Sequence, residues 1–117
     1  MNQFVSAVEL ALGDKVLMLN SIYLTFGFVM LEMENEHLQE LKDFNDGEAI
    51  GLEIDIKISC KDNNFPVHGK VYRARITGIY RSSANRIESR LSFVNLMGNQ
   101  KLEIKNANAA LALSDSD

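Results

Sequence analysis

Cysteine is nearly missing from this chain. Cys60 stands alone among 117 residues. An internal disulfide is therefore excluded, and the usage fits a reducing compartment. The first residues, Met1-Asn2-Gln3-Phe4, carry no basic side chain. No signal peptide is expected, and a cytoplasmic location follows as the reading. No apolar run reaches membrane length. Val16 to Leu31 is sixteen uncharged residues between Lys15 and Glu32. A spanning helix needs about 17–25 apolar residues, and this run is interrupted by Asn20, Ser21, Tyr23, Thr25 and Gly27. It reads as buried strand, with no membrane span. There is no glycine-rich phosphate loop, no serine triad that can be assembled, no internal repeat, no low-complexity segment and no linker. An excess of positive charge is missing too. The net charge is −4 and the pI about 5.1. That balance argues against nucleic acid as a partner, which calls for a basic domain.

What is present is unevenly spread. Residues 1–67 hold 4 basic and 12 acidic side chains, and residues 68–105 hold 8 basic and 2 acidic. The acidic block can neutralise the basic one within the fold, or the basic block can meet an anionic partner. The basic block contains Arg73, Arg75, Arg81, Arg86 and Arg90. Residues 73–93 read as a β-hairpin turning at Ser82-Ser83-Ala84-Asn85. That register pairs Arg81 with Arg86, Tyr80 with Ile87, Gly78 with Ser89, Ile76 with Leu91 and Ala74 with Phe93. One face is then small or apolar, and the other carries all five arginines with one acid, Glu88. Like charges opposite each other destabilise a sheet. Such a face calls for water, for acids drawn from residues 32–48, or for an anionic partner surface.

The rest of the chain is strand-rich. Residues 4–12 read as a short strand or a helical turn, closed by Gly13-Asp14. Residues 15–33 hold one strand or two. Residues 34–47 are acidic and turn-like, with a short helix around His37–Leu41. Residues 49–59 alternate without fault: Ile50, Leu52, Ile54, Ile56 and Ile58 face one way, and polar residues or Gly51 face the other. After a loop at Lys61–Pro66, apolar positions change phase between Val71 and Tyr72, which predicts a β-bulge there. Gly98-Asn99 opens a helix over 100–113, with Leu102, Ala109, Ala110 and Leu113 as its apolar stripe. A chain of this length makes one domain. The expectation is a mostly β domain over residues 1–113, five to seven strands in an antiparallel barrel or a barrel-like sandwich, with a C-terminal α-helix and a disordered acidic tail at 114–117.

Four segments in this order resemble a PilZ domain: Tyr23-Leu24-Thr25-Phe26-Gly27-Phe28-Val29-Met30, Ile50 to Ile58, Phe65-Pro66-Val67-His68-Gly69-Lys70-Val71, and Arg90-Leu91-Ser92-Phe93-Val94-Asn95-Leu96. The resemblance implies a six-stranded barrel with a C-terminal helix. Many such domains bind cyclic di-GMP with an Arg-x-x-x-Arg segment ahead of the barrel and an (Asp/Asn)-x-Ser-x-x-Gly turn. This chain departs from both. Residues 1–14 contain no arginine. Counting back from Gly27, Ile22 fills the acid or amide slot and Leu24 the serine slot; Asn20 and Ser21 are out of register. Lys15 cannot copy the bidentate fork of an arginine pair. The chain looks like the short, degenerate PilZ proteins of type IV pilus systems. For those, the resemblance implies protein partners: a pilus extension ATPase and a signalling protein with a degenerate phosphodiesterase domain. Cyclic di-GMP is accordingly not the expected ligand.

Remaining constellations are thin. Arg86-Ile87-Glu88-Ser89-Arg90 spells Arg-x-x-x-Arg but falls late in the barrel. Glu34-x-x-His37 lacks the second copy a di-metal centre needs. Asp43–Gly47 has the wrong spacing for a calcium loop. Cys60 and His68 could meet across the 61–66 loop, without an orienting third group. No metal and no cofactor are expected. The function read from the sequence is a non-catalytic adaptor that binds a protein in motility, pilus or surface-attachment control. The alternative is a binder of cyclic di-GMP, another nucleotide or single-stranded nucleic acid through a relocated arginine face, stacking bases on Tyr72 and Tyr80. An enzyme is the third class, and its acid–base equipment is sparse.

Overall fold

The computed structural model describes residues 5–115. Its elements are β1 (Val5–Leu12), β2 (Lys15–Leu24), β3 (Phe28–Met33), α1 (Asn35–Phe44), β4 (Glu53–Cys60), β5 (Val71–Arg81), β6 (Ile87–Phe93) and α2 (Gly98–Asp115). The strands close into a barrel in the order β1-β2-β3-β6-β5-β4, every pair antiparallel. This is the six-stranded barrel with a C-terminal helix that the PilZ resemblance implies, and it lies within the five to seven strands that the alternation and the turns predict. The uncharged run from Val16 to Leu31 is a hairpin, β2 and β3. No helix among the described residues is long and apolar enough to cross a membrane.

Alternation sets the core. Leu52, Ile54, Ile56 and Ile58 are buried, as are Leu10, Leu19, Leu31, Ile76 and Leu91 on neighbouring strands. Ile50 departs from this set and is half-exposed, because Ala49 to Leu52 is a turn: Leu52 N–H donates to the Ala49 carbonyl and Gly51 takes a φ of 92°. A closed barrel leaves two mouths to cover. At one, α1 buries Leu38 and Leu41. It reaches the β1–β2 turn through Lys15–Glu40 at 3.0 Å and the β5–β6 turn through Asn35 Nδ2 donating to the Ala84 carbonyl. The other mouth is closed by α2. Buried Tyr72, at the start of β5, donates its hydroxyl to Glu103 Oε1 at 2.8 Å, and Gln100 Nε2 donates to the Val71 carbonyl.

Three expectations are corrected. The helix α2 buries Ile104, Ala107 and Leu111, with Ala110 packed beside them. Leu102, Ala109 and Leu113 of the expected stripe lie on the exposed side. The helix carries two apolar stripes, and the Tyr72–Glu103 bond turns the one beside Glu103 inward. The helix also runs through Asp115, two residues into the expected tail; residues 116 and 117 lie outside the described residues. Finally, the extra residue sits just before Val71 rather than between Val71 and Tyr72: Gly69 N–H donates to the Ile58 carbonyl and Ile58 N–H to the Lys70 carbonyl, so two residues face one, and the register is regular from Val71 on. The phase change falls there, at the start of β5; Val67 and Gly69 belong to the preceding turns. A second bulge lies at Thr77, between β5 and β6.

Candidate functional site

The Thr77 bulge reorganises the arginine hairpin. Ala74 pairs with Phe93 and Ile76 with Leu91, as the pattern requires. Beyond Thr77 the register slips by one: Gly78 pairs with Arg90, Ile79 with Ser89, Tyr80 with Glu88 and Arg81 with Ile87. The predicted pairs Gly78–Ser89, Tyr80–Ile87 and Arg81–Arg86 are therefore wrong, and the five arginines do not share one face. Arg81 takes the inward parity at the barrel mouth, opposite buried Ile87, and donates to the Ala84 carbonyl at 2.9 Å. Arg86 sits in the turn, where its carbonyl accepts from the Ser82 and Ser83 N–H groups. In exchange, Tyr80 swings to the outer face.

Arg90 is what holds the bulge. Its Nε donates to Thr77 Oγ1 at 3.0 Å and its Nη2 to the Thr77 carbonyl at 3.2 Å. Thr77 Oγ1 also lies 2.7 Å from Ser92 Oγ. A bulge costs ladder bonds; here a side chain from the facing strand supplies replacements. The guanidinium lies over two rings, Phe28 on β3 and Tyr80 on β5, each centroid 5.9 Å away. Tyr23 packs edge-on against Phe28 at 5.9 Å. Gly78 makes the Tyr80 position possible. A Cβ on Gly78 would fall 2.6 Å from Tyr80 Oη, because the ring lies across the glycine.

The other arginines are matched by acids. The β4–β5 register sets Glu53 opposite Arg75 and Asp55 opposite Arg73. Arg75 Nη2 bonds Glu53 Oε2 at 2.7 Å, Arg73 Nη1 bonds Asp55 Oδ1 at 3.3 Å, and Arg86 Nη2 reaches Glu32 Oε2 at 3.1 Å. The Arg75 hydrogen bond holds the Glu53 carboxyl below its ordinary 4.5, outweighing the upward push of desolvation, and the charges of Arg75 and Arg73 add to it. So, among the described residues, the balancing acids are mainly those of β4, and Glu32 is the one from residues 32–48 that pairs with a hairpin arginine.

The β2–β3 turn is the segment that the PilZ resemblance compares with a ligand turn. Thr25 Oγ1 accepts from the Gly27 and Phe28 N–H groups and lies 3.1 Å from the Phe28 carbonyl, so the turn is closed on itself. Leu24 is buried in the core, and Ile22 is the extra residue at an irregularity between Ser21 and Tyr23. Gly27 faces open space, and Phe26 is 65% exposed.

The minor constellations resolve into local structure. His37 Nδ1 accepts the Glu34 N–H and caps α1. Asp46 and Gly47 take positive φ at the end of that helix, where Gly47 N–H donates to the Lys42 carbonyl. Cys60 and His68 do meet, but His68 Nδ1 accepts the backbone N–H of Cys60, while burial, with the Asp62 charge adding, pushes the thiol up to about 11. A cleft of about 550 Å³ opens beside α1, lined by Leu38, Ala49, Ile50 and Ile79 with Lys42 and Glu48 among its walls. It holds no histidine, cysteine or hydroxyl nucleophile. Sequence reasoning missed Thr77, Phe28 and Tyr80 as parts of the Arg90 cluster. The available signal was Gly78-x-Tyr80, a glycine two residues from an aromatic on one strand.

No protein-family model matches the chain, and no curated protein matches it. A solved structure does: the Borreliella burgdorferi PlzA protein in complex with c-di-GMP. Its TM-score is 0.59 at 11% identity, over 98% of this chain and 48% of that one. The chain thus spans about half the length of that protein. At this identity the likeness is one of fold, and the fold is the PilZ-like barrel that the quoted segments imply.

Proposed function

We propose that the chain is a non-catalytic, cytoplasmic regulatory barrel of the degenerate PilZ kind. It docks onto a protein partner in motility, pilus or surface-attachment control. The observation that carries this reading is the β2–β3 turn: its polar atoms are spent on its own backbone, Leu24 is in the core, and Phe26 stands out. An exposed aromatic suits a protein surface. The paired arginines support the same reading, since Arg73, Arg75 and Arg86 already hold carboxylates.

A second reading is favoured by one finding, the c-di-GMP bound to the PlzA protein. In that reading the nucleotide would use the relocated arginines. Calorimetry decides between them. Titration of cyclic di-GMP into the chain is expected to give no saturable heat; a saturable isotherm would replace the first reading by the second. Pull-down with pilus and motility regulators of the same cell then addresses the partner.

A further inference from the structure

We infer that the outer face around Arg90 receives a partner segment carrying one carboxylate between apolar side chains. This rests on, and deepens, the reading of the chain as a protein-binding domain. Among the five hairpin arginines, Arg90 is the one that is half-buried, and it has no carboxylate partner among the described residues. Two of its five N–H groups point back at Thr77, and the rest have no partner among the described residues. A cation partly withdrawn from water and without a counter-charge attracts a carboxylate more strongly than a solvated one does.

The surroundings are apolar on one side and acidic on the other. Tyr23 and Tyr80 are 40% and 45% exposed, Tyr80 lies over the guanidinium, and Phe28 joins Tyr23 to it. An arginine ringed by aromatics is the usual anatomy of a dominant interface contact. On the other side, Glu32 and Glu88 face each other across β3 and β6, and Glu88 is two residues from Arg90. A phosphate or other multiply charged group would meet those acids. A single carboxylate carries less charge and is repelled less. The ring faces turned to the guanidinium are also already covered, which disfavours a stacked base.

The test uses isotope-labelled full chain and NMR. The probes are N-acetyl-Leu-Glu-Leu-amide, its glutamine counterpart and cyclic di-GMP. The glutamate peptide is expected to shift the ring signals of Tyr23, Phe28 and Tyr80 and the Arg90 side chain, saturating in the millimolar range. The glutamine peptide is expected to bind about tenfold more weakly, having lost the charge-assisted bonds. Arg90→Met should abolish the shifts. Because Arg90 also holds the bulge, Gly78→Ala is the second variant: its φ is not positive, so alanine fits the backbone, but its Cβ displaces the Tyr80 ring. It should stay folded and lose affinity at least about threefold. Equal binding of the two peptides, shifts elsewhere on the barrel, or no binding would each overturn the inference. Shifts with cyclic di-GMP would overturn the protein-binding reading itself, whereas silence to peptide and nucleotide alike removes only the Arg90 site.

Discussion

At the scale of single residues, the inner wall of the barrel holds two hydroxyls without a hydrogen-bond partner among the described residues, those of Ser21 and Ser89. Ser89 is fully buried, and its Oγ has no hydrogen-bond partner among the described residues. The register sets it beside Leu31 and Ile79. Ser89→Ala should therefore be neutral or stabilising by up to about 1 kcal/mol, read from urea midpoints, since removing a buried unpaired polar group relieves its desolvation penalty. A loss of more than about 1 kcal/mol would mean that the hydroxyl is bonded. Cys60 gives a second residue-scale expectation. Its thiol is buried and its ionisation is pushed up to about 11. Iodoacetamide should modify it far more slowly in the folded chain than in urea at pH 8, because the thiolate is the nucleophile; equal rates would contradict the burial. Inward placement of Ser89 was legible from strand parity. Its partner was not, because a one-residue slip depends on how Arg90 meets Thr77 across the sheet, which leaves no periodic trace.

At the scale of elements, the sequence speaks clearly where one face alternates and poorly where two solutions are equally apolar. The strand over 53–58 could be read because Ile54, Ile56 and Ile58 alternate with Glu53, Asp55 and Lys57. The pairing acids of Arg73 and Arg75 were also within reach, since Glu53 and Asp55 lie on the strand just before them. In α2 the pattern misleads. Leu102, Ala109 and Leu113 match a helical stripe as well as Ile104, Ala107 and Leu111 do. Only docking chooses, through Tyr72 and Glu103 at the adjacent position. The choice has a measurable consequence. Ile104→Ala, at a residue 1% exposed, should cost about 2–4 kcal/mol, as buried large-to-small changes do. Leu102→Ala, at a residue 56% exposed, should cost within about 0.5 kcal/mol. If Leu102→Ala is instead the more costly of the two, the helix is docked on its other stripe.

For the whole molecule, closure and charge arrangement together set how stability responds to pH. The barrel has no free edge to lend to a neighbour, so its outer contacts are made by side chains. The largest ionic group among these is Glu53 and Asp55 with Arg73 and Arg75. Glu53 titrates below its ordinary 4.5 in the fold. Its contribution is present above that value and fades as pH falls through the lower folded value, where the fold must take up a proton that the unfolded chain already holds. At the alkaline end the order is reversed. Cys60 and Tyr72 ionise above their ordinary 9.0 and 10.0, chiefly because burial disfavours the charged forms; Glu103 adds to the shift of Tyr72 through their hydrogen bond. The unfolded chain loses those protons first, so stability is intact below pH 9 and falls as pH rises from there. Urea midpoints should therefore be flat across the neutral range, drop below pH 4.5 and drop again above pH 9. Glu53→Gln should blunt the acid limb and leave the alkaline one. Tyr72→Phe should do the opposite, and because it also frees Glu103 from its bond to the barrel, it should lower the neutral plateau by about 1 kcal/mol. An alkaline limb unchanged in Tyr72→Phe would detach the tyrosine from that drop and leave Cys60 to account for it.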